Sequence, residues 1–531
     1  MADKEVLHWA DQTAQKILRE LGDRDLYTCA SGITPSGVVH IGNFREIISV
    51  DLVVRALRDL GKKVRFIYSW DDYDVFRKVP ANMPKPELLE KYLRFPITAT
   101  PDPFERDESY ARHHEVDVET VLPRVGIYPE FLYQCRKYQK AEYAESIKLA
   151  LDNKDKIKDI LNTYRDKDHK IEGEYYPASI FCSSCKKDTT KIENWDGEWT
   201  LSYSCECGHK ECLDLRDACN VKLGWRVDWP MRWAHEKVVF EPAGKDHHSK
   251  GGSFDTSSVI SSEIYNWRAP ISFRYDFIGL KGLPGKMSSS KGGVVSLSDV
   301  LEVYQEEVLR YLFASTRPNT EFVISFDLDV IKIYEDYDKT ERIAWKLQSA
   351  KNEEAQKKEL RIYELSQIDK MPSSPPYQLP FRHLCNLLQV KGGNIQATLD
   401  GLEDLKDEQR ERLERRAMCA LNWIMGGGAP EEFKFLLNEA DNLPSVEKQF
   451  LPLIDKIRCD IIPSIDSIEE KALSTMLYDV ANGGGVEPKE LFKCLYQILI
   501  AKDQGPRLAG FMKIIGKEKL SLLFNSVFAR V

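Results

Sequence analysis

The chain has 531 residues, 42% of them hydrophobic and 30% charged, with a formal net charge of −9. That length predicts two or three domains with ample cores, and the negative balance excludes blanket electrostatic binding of nucleic acid, leaving only a local basic face. There is no run of about 18 apolar residues, and the stretch from Met1 to Glu20 is charged and amphipathic rather than like a signal peptide, so a cytoplasmic protein without a membrane span is expected.

Residues 26–30 read as a buried strand, and 44–60 as a helix with Ile47, Val50, Val54 and Leu57 at helical spacing, closed by Gly61. Val64 to Trp70 reads as a second buried strand. Strand, helix, strand is a βαβ unit, which places ligands at the carboxyl ends of its parallel strands. Those ends carry the loop Thr34 to Asn43 and the acidic run Asp71-Asp72-Tyr73-Asp74. Pro-rich, mixed-charge sequence from Pro80 to Pro129 and a Lys/Asp-rich helical stretch to about Asp168 read as an insertion, followed by a cysteine cluster. Apolar runs at Lys237–Phe240 and Ile271–Leu280 return to a strand-like pattern and lead to Lys286-Met287-Ser288-Ser289-Ser290-Lys291-Gly292. From about Asp336 the pattern becomes helical, as in Phe492, Leu495, Tyr496 and Leu499, broken by Pro372-Ser373-Ser374-Pro375-Pro376, Gly426-Gly427-Gly428 and Gly483-Gly484-Gly485. The expected architecture is therefore a Rossmann-like parallel-sheet α/β region over 1–335, with an insertion at about 76–220, and an all-α region over 336–531.

Two segments about 240 residues apart carry the chemistry. In the first, His40 opens a helix, where an imidazole and free backbone N–H groups attract phosphate. Pro35 lies in the same loop, Gly37 and Gly42 let backbone approach a nucleotide closely, and Asn43 adds a neutral donor. In the second, Lys286 can follow a departing pyrophosphate while Ser288, Ser289 and Ser290 supply donors beside it. Between them lies Gly244-Lys245-Asp246-His247-His248, a candidate ribose site. Such a set suits ATP activation of a carboxylic acid, which needs positioning and positive charge more than covalent chemistry.

Five of the twelve cysteines fall between Cys182 and Cys212 while the others are scattered, which points to a metal site and free thiols rather than a disulfide framework. Cys182-Ser183-Ser184-Cys185 and Cys205-Glu206-Cys207-Gly208-His209 resemble the two knuckles of a structural zinc ribbon at about 180–213. Cys182, Cys185 and Cys205 are three ligands. The fourth is Cys207, His209 or Cys212, with Cys207 favoured because Cys-Gly commonly ends a knuckle.

The loops at His40 and Lys286 resemble the HIGH and KMSKS motifs of class I aminoacyl-tRNA synthetases. Ser31 to Gly37 with His40 to Glu46, Ser69 to Asp74, Phe76 to Pro80, Pro101 to Phe104, Trp225 to Pro230, Gly244 to His247, Pro380 to Leu384 and Gly505 to Leu508 extend the likeness over nearly the whole chain, to the class I lysyl-tRNA synthetases. The resemblance implies a HUP-type nucleotide fold. It also implies ATP with its Mg²⁺, lysine and tRNA(Lys) as ligands, and transfer to the 2′-hydroxyl of the terminal adenosine. ATP would be held by Pro35, Gly37, His40, Gly42, Asn43, Asp246, His247, Lys286 and Lys291. His40, Asn43, Lys286, Ser288 and Ser289 would serve the chemistry. The family loop usually has a second lysine where this chain has Ser289, a charge that Lys291 is placed to supply.

A substrate ammonium taken out of water needs a carboxylate partner. Glu46, six residues after His40 on one helix, points about a third of a turn away from the phosphates. The resemblance assigns it to the ε-ammonium, with Tyr275 beside it, Gly32 and Thr34 at the α-amino or carboxylate end, and Trp225 or Trp229 with His247 as the wall. Asp71, Asp72 and Asp74 either bind substrate or cap their turn. The helical region beyond 336 would take the anticodon side of tRNA. A small-substrate nucleotidyltransferase and a non-catalytic RNA-binding paralogue are the rival readings; the long helical region argues against the first, and intact His40 and Lys286 against the second.

Lys286→Ala is expected to slow adenylate formation by a factor of about 10² to 10³, because it removes a donor used mainly in the transition state, while lysine binding weakens far less. Near-normal single-turnover activation by the variant would make the motif assignment wrong.

Overall fold

The computed structural model describes residues 8–282, 294–402 and 405–529. Its nucleus is the expected βαβ unit: β1 (Tyr27–Ile33), a helix (Ile41–Asp59) and β2 (Val64–Trp70), with the strands parallel from Tyr27↔Val64 to Ile33↔Trp70. The first five residues of β1 are buried, as a strand covered on both faces requires. The amino-terminal helix α1 (Trp9–Leu21) contributes Ala10, Ala14 and Ile17, one stripe at helical spacing, so the βαβ helix is α2. Gly61 ends α2 with φ +75°, a left-handed position that glycine adopts without strain.

Helix α3 (Tyr110–Val121) precedes β3 (Glu130–Tyr133), which adds to β2 in parallel from Ile67↔Glu130 to Trp70↔Tyr133. The insertion expected over 76–220 thus returns a strand to the main sheet. Four residues next to Pro129 carry too short a pattern to announce it. Antiparallel β4 (Ala178–Ile180) and β8 (Val221–Leu223) frame a three-stranded meander of β5 (Thr190–Trp195), β6 (Thr200–Cys205) and β7 (Lys210–Asp214). Helix α4 (Trp225–His235) tolerates Pro230 because the Arg226 carbonyl, deprived of its helical N–H, accepts from Ser257 Oγ at 3.3 Å. Then β9 (Val238–Phe240) completes a parallel sheet of order β3-β2-β1-β9. The strand-like run at 271–280 becomes two short strands, β11 (Arg274–Tyr275) beside β10 (Ala243–Gly244), and β12 (Ile278–Leu280) beside β13 (Phe322–Ile324).

The chain forms two compact units, the first comprising residues to Leu301, Glu306–Ile324 and Thr340–Met371, the second Glu302–Gln305, Ser325–Lys339 and Pro372–Val531. Around the expected boundary at 336 the chain crosses between the units more than once, with Ser325–Lys339 in the second and Thr340–Met371 in the first. Two arginines, Arg310 buried and Arg55 half-buried, hold Thr340–Met371 in the first unit. Arg310, 0% exposed, donates to Asp51 Oδ2 at 2.7 Å and to the carbonyls of Val125 and Leu365 at 2.8 and 3.0 Å. Arg55 reaches Asp51 at 2.9 Å and the Gln367 and Ile368 carbonyls at 2.7 and 2.8 Å. Residues 353–368 are thereby tied to α2.

The second unit is all-α among its described residues. Helices Asp407–Met425 and Glu470–Gly483 stop where the glycine runs begin, and Gly427 and Gly485 lie at positive φ. Leu473, Leu477, Leu491, Leu495 and Phe524 are core residues of this unit. A buried ion pair, Arg416 to Asp338 at 2.8 Å, lies within it.

Arg310→Met should lower the unfolding free energy of the first unit by about 3 kcal/mol, since it strips a buried carboxylate and two carbonyls of their donor. Denaturant unfolding followed by tryptophan fluorescence reads the shift; a midpoint equal to wild type would show that Arg55 alone supports Asp51.

Candidate active site

Beyond the carboxyl ends of β1 and β2 the chain leaves a cleft of about 500 Å³, lined among others by Gly32, Thr34, Gly37, Asn43, Trp225 and His247. Parallel strands turn away from the sheet here, leaving loop backbone and polar side chains to line the opening.

The electrostatics of this edge separate its carboxylates. Asp71 meets Arg232 Nη1 at 2.5 Å, and the same nitrogen donates to Ser69 Oγ at 2.7 Å. Asp74 meets Lys222 Nζ at 2.6 Å and accepts from Thr34 Oγ1 at 3.0 Å. Burial opposes charge at Asp74, yet Lys222 and Thr34 hold its carboxyl below the usual carboxylate range. Asp72 faces the other way and accepts the Cys135 N–H at 2.7 Å; burial pushes it up to about 8.

Glu46 is different. Its Oε1 accepts from Ser31 Oγ at 2.8 Å and from the Gly32 N–H at 3.1 Å, and its Oε2 accepts from Tyr275 OH at 2.5 Å. All three donors are neutral. Desolvation raises the Glu46 carboxyl above its ordinary value even against these bonds. Gly32 thus spends its N–H on Glu46, and it has no room for a side chain, because a Cβ would stand 2.7 Å from the Ser69 carbonyl oxygen. Glu46 and Tyr275 do not line the 500 Å³ cleft; Glu46 touches its lining at Gly32, and Tyr275 bonds to Glu46.

The two tryptophans take different places. Trp225 is 36% exposed and lines the cleft with His247, whereas Trp229 is 5% exposed, stacked behind Trp225 at 5.0 Å between ring centroids. Trp229 and Trp233 donate their indole N–H groups to the two oxygens of Glu241, at 3.1 and 2.6 Å. Burial pushes the Glu241 carboxyl up to about 7 despite these donors. His247 Nδ1 lies 2.6 Å from Ser253 Oγ.

His40 stands at the amino terminus of α2 as expected, with Asn43 Oδ1 accepting its backbone N–H at 3.1 Å. Asn43 is therefore a helix cap as well as a cleft residue. His40 itself is 6% exposed and bridges to Ser296, lining a separate cavity of about 180 Å³ with Phe44 and Tyr68. Pro35, Gly42 and Asp246 flank the cleft without lining it. Lys286, Ser288, Ser289 and Lys291 lie outside the described residues. Ser31, Lys222, Arg232 and Glu241 were not singled out from the sequence. An isolated serine, lysine, arginine or glutamate carries no spacing signal, and their partners lie 8 to 163 residues away.

The cysteine cluster closes as a compact set: Cys182, Cys185, Cys205 and Cys207 present their sulfurs within 4.8 Å of one another. Cys182 to Cys207 and Cys185 to Cys205 are 3.8 and 3.6 Å. A tetrahedron with zinc–sulfur bonds of about 2.3 Å has edges of about 3.8 Å, so four thiolates at these separations fit zinc. Gly208, at φ +89°, turns the second knuckle, while His209 Nε2 faces Glu211 at 3.4 Å and Cys212 lies on β7 opposite Ser202.

The family profile described as tRNA synthetases class I (K) matches residues 7–369. A lysine–tRNA ligase of Treponema pallidum (strain Nichols) is 61% identical over 519 residues, covering 98% of each chain. Lysine–tRNA ligases of Borreliella burgdorferi and Thermococcus kodakarensis are 53% and 43% identical over 514 and 526 residues, covering 96% and 97% of this chain and 98% of each relative.

Proposed function

This chain belongs to the class I (K) tRNA synthetases, and we infer from that membership that it is a lysine–tRNA ligase. It activates lysine with ATP, accompanied by Mg²⁺, to lysyl-adenylate and pyrophosphate, and transfers the lysyl group to the terminal adenosine of tRNA(Lys). The first unit carries activation. The second unit receives the anticodon side of the tRNA in a cytoplasmic ligase. That assignment is supported by a cleft of about 1320 Å³ in the second unit, where Arg382 and His383 meet Arg507 and Lys513 although more than 100 residues separate the two pairs. No described helix is long and apolar enough to cross a membrane.

The observation that carries the lysine reading is the contrast among the carboxylates. Asp71 and Asp74 already hold a cation each, whereas Glu46 is bonded by neutral donors alone. A half-buried carboxylate so placed gains most from an ammonium, and the ammonium in turn loses its water only against such a partner. Glu46 takes the ε-ammonium, with Tyr275 and Ser31 fixing its two oxygens. Thr34, held to Asp74, and Lys222 also line the cleft, and Thr34 takes the α-amino or carboxylate end of the substrate. Trp225, rather than Trp229, and His247 form its wall. The lysine carboxylate then attacks the α-phosphorus in line, with Gly37 allowing close backbone approach, His40 and Asn43 at the head of α2, and Lys286 following the pyrophosphate.

Cys182, Cys185, Cys205 and Cys207 hold a structural zinc. With all four positions filled by thiolate the metal supplies cross-linking to a region with little core of its own and no open position for chemistry.

Lysine-dependent ATP–pyrophosphate exchange, assayed across the twenty amino acids with and without tRNA, tests the activity; exchange driven by another amino acid would overturn it. Glu46→Gln should reduce kcat/KM for lysine by the equivalent of about 3 kcal/mol and narrow the preference for lysine over norleucine. Because the empty-site carboxyl is raised and only its ionised form pairs with ammonium, wild-type lysine affinity should fall as pH drops through a value above the usual carboxylate range. That fall should vanish in Glu46→Gln. An unchanged lysine to norleucine ratio would return the role to the aspartates.

About one zinc per chain should co-purify, and Cys182→Ser or Cys185→Ser should lose it together with local protease resistance around residues 180–213. Metal-free protein whose cysteines all titrate freely under native conditions would refute the site.

A further inference from the structure

A second cleft, of about 660 Å³, lies against the catalytic one, and the two share a thin wall. The turn after β2 divides its side chains, Asp71 and Asp74 lining the catalytic cleft and Asp72 and Tyr73 the second. The β4–β8 pair contributes Ser179 and Lys222 to the catalytic cleft, and the residues just beyond its end, Phe181 and Asn220, line the second. Deep in the second cleft Glu115 is 2% exposed, and its Oε1 is buried without a hydrogen-bond donor, while Oε2 accepts from Arg112 at 3.1 Å. A buried carboxylate oxygen left without a donor is costly, and its free lone pairs call for a ligand N–H. At the mouth the exposed Arg136 guanidinium lies 4.1 Å over the Tyr133 ring, a flat cationic surface, and Lys186 adds a second exposed charge against one exposed carboxylate, Glu108.

An anion-attracting rim, a guanidinium plane and a buried acceptor together describe a site for a nucleotide: phosphate outside, a stacked base between, an exocyclic amine inside. Resting on the ligase reading, we propose that this cleft binds a cytosine of the single-stranded C-C-A end of the tRNA, its N4 amino group donating to Glu115 Oε1 and its phosphate lying against Arg136 and Lys186. The terminal adenosine must enter the catalytic cleft, so the cytidines just before it arrive at the dividing wall. Cytosine is the base the acceptor selects, since uracil presents a carbonyl oxygen where cytosine presents the amine, and two acceptors would face each other.

The test uses full-length protein and three tRNA transcripts ending in C-C-A, U-C-A and C-U-A. In wild type one of the two uridine transcripts should lose about 10-fold in lysylation kcat/KM relative to C-C-A. Glu115→Gln, whose amide can donate as well as accept, should shrink that ratio to about 2-fold, and Arg136→Ala should raise the tRNA KM about 10-fold. Independently of any variant, a transcript carrying pyrrolocytidine at the discriminating position should change fluorescence on binding wild-type protein. Equal lysylation of all three transcripts, the same ratio in Glu115→Gln, an unmoved fluorescence signal, or equal binding of a hairpin RNA lacking the C-C-A end would each overturn the cytosine site. Failure to lysylate any transcript would instead count against the ligase reading, and the fluorescence titration would still decide the cleft.

Discussion

A half-buried carboxylate that meets only neutral donors among the described residues sets the terms for the proposed activation site. Glu46 is held from both sides, by Ser31 and Gly32 of β1 and by Tyr275 of β11, so its position depends on the pairing of the parallel strands and on the return of the chain more than two hundred residues later. Three neutral hydrogen bonds fix the geometry of the carboxylate without pairing it with a cation, which on the ligase reading leaves that part to the substrate ammonium. Had Arg232 or Lys222 reached Glu46 instead of Asp71 and Asp74, the same residues would form a closed ion pair with nothing left to recognise a cation.

The neighbouring aspartates show how one short turn serves several purposes. After β2 the chain turns, the Asp74 N–H donating to the Asp71 carbonyl at 3.3 Å, and its side chains divide between two faces, both of which are used. Asp71 and Asp74 are each pinned by a cation from α4 or β8 and thereby fasten the inserted region to the end of the sheet. Asp72 instead caps the start of the segment after β3 through the Cys135 N–H. Shared walls of this kind make the two clefts mechanically close, since any movement of the β4–β8 pair alters both.

Behind the visible lining, a further tier of contacts holds the aromatic wall. Trp225 is positioned by stacking on Trp229, and Trp229 is positioned by Glu241, which also anchors Trp233. A single buried carboxyl thus orients two indoles, and its elevated proton affinity reflects the desolvation that this packing imposes. On the zinc reading the four cysteines play a comparable part in the insertion, where β5 to β7 bury few large side chains and four sulfurs are gathered at one end.

What the sequence by itself determined is local. The βαβ unit was legible because buried parallel strands and an apolar helix stripe have distinct periods. The head of α2 at His40, the cysteine knuckles and the glycine stops of the tail helices were legible because capping, metal ligation and left-handed backbone each demand particular residue types at short spacing. Glu46 and Tyr275 were reached through resemblance, not pattern. Tertiary structure alone decided which carboxylates were neutralised, that Trp225 rather than Trp229 faces the cleft, that Gly32 gives its N–H to Glu46, that four residues at 130–133 rejoin the sheet, and that residues 353–368 belong to the first unit. Each of these rests on pairing between groups distant in the chain, and the energy of such a pair depends on the burial and distance that folding creates, neither of which is written in the spacing of the residues.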